Sequence, residues 1–91
     1  MANNLFISYD LIAPGQHYPE VIAAIQALGA WAKVHYSLFY VKTTLSASEA
    51  ATKVRTVMDS NDKLIVIDAK DAYWYNLPKE VEDQIKQQWN R

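Results

Sequence analysis

AWAKVHYSLFYVKTTL, residues 30–45, is the stretch on which the fold turns. It is rich in aromatic and β-branched residues, which favour strands, and is too long for one strand of about 5–6 residues. A break near Ser37 makes it a hairpin, and that break sets the strand count for the whole chain.

Working outward, YPEVIAAIQALG (18–29) carries Pro19 in its first turn, Val21, Ile25 and Leu28 at helical spacing with Ile22 beside them, and Gly29 at the stop. It predicts a first helix. Before it, NLFISYDL (4–11) alternates Leu5, Ile7 and Tyr9 with Phe6, Ser8 and Asp10, a strand with two largely apolar faces and a polar end, broken by Pro14 and Gly15. On the other side, SASEAATKVRTVM (46–58) opens with Ser46 and Glu49 in capping-box spacing and sets Ala47, Ala50, Ala51, Val54, Val57 and Met58 on one stripe, a second helix stopped by DSND. KLIVIDA (63–69) is a short apolar run between polar turns and predicts a buried strand.

The order is therefore βαββαβ, with two helices on one face of a four-stranded antiparallel sheet. This is an α+β, ferredoxin-like plan. Beyond it, Leu77, Val81, Ile85 and Trp89 recur every four residues after Pro78, which signals an extra C-terminal helix. The intervening AYWYN (72–76) is aromatic enough to add an edge strand. We expect one domain over 1–91, with its core at about 4–70 and the aromatic segment and helix at about 71–91. A chain of 91 residues has no material for a second core. The sheet face that carries Phe6 and Ser8 needs cover, from the terminal helix or from a second subunit, so a homodimer is expected.

Composition narrows the function. Nine Lys and Arg stand against ten Asp and Glu, for a formal charge of −1, and the basic residues are scattered singly. That argues against tight non-specific DNA binding by the chain alone. With no cysteine there is no disulfide framework and no thiolate metal site. No run approaches the ~18 apolar residues of a membrane span, and the first residues lack a basic signal-peptide start, so a cytoplasmic protein without membrane contact is expected.

In the ferredoxin-like plan one end of the sheet collects Asp10, the hairpin at His35, Tyr36 and Ser37, and the loop Asp59 to Asp62, with Gln16 and His17 after strand one. Oxygen ligands with nearby imidazoles suit a hard divalent ion. Asp, Ser and Asn are equally the ordinary residues of turns, and neither histidine has the i, i+4 spacing of a helical metal pair. Asp10 continues an otherwise apolar strand, which is costly unless it is paired, binds a cation or sits at a wet rim. One carboxylate is too few for a catalytic Mg²⁺ or Mn²⁺, but a two-fold axis would supply a second Asp10. Asp68 ends strand four at the opposite end. The aromatics Trp31, Tyr36, Phe39, Tyr40, Tyr73, Trp74 and Tyr75 fit a base-stacking platform, although such residues are more often core or interface anchors.

The motifs SYDL at Ser8 to Leu11, Gly29 with Trp31, Ser37 with Phe39, Thr43 with Ser46 and Ala47, and Asn61 to Leu64 come in an order that resembles a known family. It is the superfamily of the small CRISPR-associated dimeric protein that partners the spacer-acquisition integrase, and the chain is most similar to its stand-alone SinR-like members. The resemblance covers about residues 4–70. It implies a ferredoxin-like homodimer acting on RNA or DNA, with Asp10 as metal ligand and catalytic residue of a weak metal-dependent endoribonuclease or nuclease. Other members are scaffolds for integrase and DNA, or are related to ribonuclease toxins such as virulence-associated protein D. The alternative is a non-catalytic dimeric interaction module that binds a protein partner through the C-terminal helix and the aromatics. The balanced charge and that helix set this chain apart from the adaptation scaffold.

Overall fold

The computed structural model describes residues 2–12 and 18–89. The expected break at Pro14 and Gly15 and the loop residues Gln16 and His17 lie outside the described residues. The elements are β1 (Asn3–Asp10), α1 (Tyr18–Gln26), β2 (Ala30–His35), β3 (Leu38–Thr43), α2 (Ala47–Arg55), β4 (Lys63–Asp68) and α3 (Lys79–Trp89). They form a four-stranded sheet of order β2-β3-β1-β4, antiparallel at every pairing, with α1 and α2 on one side and α3 on the other. This α+β arrangement is consistent with the ferredoxin-like plan.

The hairpin turns at Tyr36 and Ser37, and Ser37 takes φ 61°, the left-handed conformation that lets the chain reverse so tightly. The register then shifts between Lys33 and His35, a bulge that twists the end of β2. The capping box of α2 is present: Glu49 N–H donates to Ser46 Oγ at 3.1 Å, and Ser46 N–H donates to Glu49 Oε1 at 2.9 Å. Both early helices stop before their apolar stripes do, because Leu28 N–H and Val57 N–H already bond the carbonyls three residues back. Gly29 is fixed by close approach, since a Cβ there would lie 2.0 Å from the Lys42 carbonyl oxygen.

Strand alternation sends Leu5, Ile7, Tyr9, Phe39 and Val41 to the α1/α2 side, where they pack with Val21, Ile25, Ala50 and Val54. Burying each of the larger of these contributes about 1.5–3 kcal/mol. A second cluster forms on the other side, where Ile85 of α3 sits on Ala32 and Tyr40, flanked by Phe6, Val34, Trp74, Leu77, Val81 and Trp89. Ile85 is fully buried, so the helix stripe expected to meet a partner is spent within the chain.

A polar network fastens the end of α3. Tyr40 O–H donates to Asn4 Oδ1 at 2.6 Å, and Lys42 Nζ donates to the same oxygen at 3.1 Å and to the Trp89 carbonyl at 2.9 Å. Asn4 Nδ2 donates to that carbonyl as well, at 3.2 Å. The ammonium thus meets the negative end of the helix dipole and satisfies a carbonyl that has no partner within the helix. Burial pushes the Tyr40 phenol up to about 12.

Two sequence expectations are corrected. AYWYN is not a strand: Asn76 takes φ 61°, and the Trp74 indole N–H turns inward to donate to Glu82 Oε2 at 3.0 Å. That bond, with Lys86 beside it, holds the Glu82 carboxyl below the usual carboxylate range. Nor is β4 buried on both faces, since α3 stops short of it on its side of the sheet. Among the described residues, no helix is long and apolar enough to cross a membrane.

Candidate functional site

Asp10 closes β1 at the exposed rim, directly opposite Lys63 of β4. Residues opposite one another in an antiparallel pair share a face, so the Asp10 and Lys63 side chains rise on the same side of the sheet as α3. Phe6 and Ser8 precede Asp10 in one row, and Ile67 and Ile65 precede Lys63 in the next. A wet rim is the condition under which an acidic residue ends an apolar strand without a buried-charge penalty.

Of the other expected residues, the hairpin at His35 to Ser37 and the loop Asp59 to Asp62 converge at this end. Tyr9 N–H donates to the Ser37 carbonyl at 3.1 Å and joins β1 to the hairpin. The Tyr9 ring points to the helix side, stacked near Phe39 and tilted against Tyr18; burial pushes its phenol up, Tyr18 adds to the rise, and a bond with the Ser37 side chain opposes it. His35 is exposed, with Nδ1 3.1 Å from the Tyr36 carbonyl oxygen, and Lys33 Nζ lies 5.4 Å from the centre of the exposed Tyr36 ring.

The loop after α2 is organised by Asp62. Its Oδ1 accepts from Ile12 N–H at 2.8 Å and its Oδ2 from Asp59 N–H at 2.9 Å, so this carboxylate ties the end of β1 to its own turn. Its place is structural, in agreement with the turn reading of DSND. Asp68 stands opposite Leu5, at the far end of β4 from Asp10. Among the described residues, no group of three or more His, Cys, Asp or Glu is placed to hold a metal ion.

The second part of the site is apolar. Ile65 and Ile67 are 56% and 49% exposed, and beside them Tyr73 and Tyr75 are 84% and 77% exposed, edge to face at 5.3 Å. A cavity of about 460 Å³ opens between Phe6, Leu38, Ile67, Tyr73 and Tyr75. Contiguous apolar surface of this kind marks interaction sites. Asp10 and this patch lie on the same uncovered half of the sheet.

Two contributors escaped sequence reasoning. Lys63 is one of the singly scattered cations of the sequence, and only the register of β1 with β4 brings it beside Asp10. Lys42 is another, yet is buried against α3. No family model matches the chain, and comparison with curated proteins and with solved structures finds no significant match.

Proposed function

We propose that the chain is a stand-alone member of the CRISPR-associated ferredoxin-like superfamily, and that it acts on nucleic acid as a homodimer closed over the open half of its sheet. The observation that supports this is that Ser8 and Asp10 follow Phe6 out from under α3 on the same face of β1, beside the exposed Ile65 and Ile67. A two-fold axis near Asp10, running along β1, would bury the isoleucines of both copies and bring two Asp10 carboxylates together. Mg²⁺ binds through one or two carboxylates and keeps several waters, so a pair of Asp10 residues would fit it. Such an ion would polarise a phosphodiester and make bound water a nucleophile. Asp10 would hold the ion, and Lys63 would stand beside it as a cation for a backbone phosphate.

The test is cleavage of RNA and DNA by wild type and Asp10→Asn with Mg²⁺, Mn²⁺ or chelator, on samples of known oligomeric state. Metal-dependent cutting lost only in the variant supports the reading. Equal activity in both removes Asp10 from catalysis.

A second reading, a non-catalytic dimeric scaffold, is favoured by the lack of a ligand cluster among the described residues and by the exposed Tyr73 and Tyr75. It predicts dimers with no cleavage under any metal.

A further inference from the structure

At the edge of the sheet remote from β4, a groove of about 810 Å³ follows the free side of β2. Among the described residues β2 pairs only with β3, so its outer N–H and C=O groups form an unpaired ladder over Ala30 to Lys33, up to the bulge. One wall is α3. Its end at Trp89 is bonded to Lys42, the register partner of Ala30, so the helix runs antiparallel to β2 and sets Glu80, Gln84 and Gln88 along the groove. Ala30 and Ala32 face that wall, Ala32 packed beneath Ile85 and Ala30 exposed at the groove. On the opposite face of the strand stand Trp31, 42% exposed over the Phe39 ring, and Lys33 two residues on.

An edge of this kind is matched only by another extended backbone, whose donors and acceptors repeat at strand spacing. A polyanion finds one cation here, Lys33, with Glu80 across from it. A second copy paired edge to edge would bring two α3 helices against each other along Glu80, Gln84 and Gln88, stripes that are mostly polar with Val81 as their one apolar member and that put two Glu80 carboxylates into the same seam. A single strand from another protein meets neither obstacle.

We infer that the β2 edge binds an extended peptide of a partner protein, added antiparallel as a fifth strand, with an acidic side chain beside Lys33 and a large apolar one against Trp31. Antiparallel addition puts the acidic residue first and the apolar residue two positions later, since cross-strand neighbours recur every second residue. This site lies across the sheet from Asp10 and is independent of any cleavage activity.

The probe is the fluorescein-labelled peptide Thr-Glu-Thr-Phe-Thr-Val-Thr, titrated against the full chain by anisotropy and by amide NMR. Saturable binding is expected at roughly 10–100 μM, as suits a small interface, with shifts concentrated on Ala30 to Lys33. Lys33→Glu, an exposed change, should weaken binding about tenfold, a difference of about 1.4 kcal/mol, and a probe with Lys in place of Glu should recover it. No saturation with wild type, equal binding by Lys33→Glu, or shifts centred on Ile65 and Ile67 would overturn the inference. Shifts in β2 on raising protein concentration without peptide would also overturn it, by assigning the edge to a second copy.

Discussion

Tyr40 and Ile67 lie on the same face of one sheet, each directly opposite Phe6 from the two strands that flank β1. Tyr40 is fully buried and Ile67 is half exposed. Both are large, and both sit at strand positions that alternation directs to that side. What separates them is α3, which covers β2 and β3, reaches the Asn4 and Phe6 end of β1, and stops short of β4. A strand's burial is thus decided by what the chain lays over it, and its own composition states only what needs cover.

The most forceful way to break the contrast is to loosen the covered half. Ile85→Ala removes the buried centre of α3 and should cost about 2–5 kcal/mol, read as a lower urea midpoint. Asn4→Ala takes the acceptor from both Tyr40 and Lys42 and should cost about 1–3 kcal/mol, with faster amide exchange at the end of α3.

Alkali tests the same half without mutation. A phenol raised to about 12 when folded, against 10.0 unfolded, keeps its proton longer in the native state. Its contribution is whole below pH 10 and is lost as pH rises towards 12, so the thermal midpoint should fall across that window, and Tyr40→Phe should flatten the fall.

The open half should respond differently. Ile65→Lys should change stability by less than about 1 kcal/mol while abolishing the proposed dimer in sedimentation, because its side chain is more than half exposed. Asp10→Asn should be quieter still, within about 0.5 kcal/mol of wild type, with loss of any metal-dependent cleavage as its only consequence. A large stability loss from either change would mean that the open half is packed by something other than a second copy.

Much of this molecule could be read from its residues, for local reasons. Alternation in NLFISYDL, the capping box at Ser46 and Glu49, and the turn near Ser37 are encoded within a few positions, and all three stand in the structure. The errors arise where distant segments decide. LIVI looks like a buried strand because run composition cannot report that α3 ends its cover short of β4. AYWYN looks like a strand because aromatics favour sheets, but Trp74 finds Glu82 across the next helix, a contact that strand propensity does not contain. Asp10 was legible as a candidate because a charge at the end of an apolar strand is conspicuous. Lys63 was not, because its value comes from register alone.

The fastening of α3 through Asn4, Lys42 and the Trp89 carbonyl has a consequence for biosynthesis. The helix follows the βαββαβ core in the chain, so that core is synthesised before its cover. During the interval Tyr40, Phe6, Ile65 and Ile67 form one continuous sticky surface, and a nascent chain held there offers chaperones or a sister polypeptide the whole face. Arrival of Trp89 closes half of that surface and leaves Ile65 and Ile67 exposed.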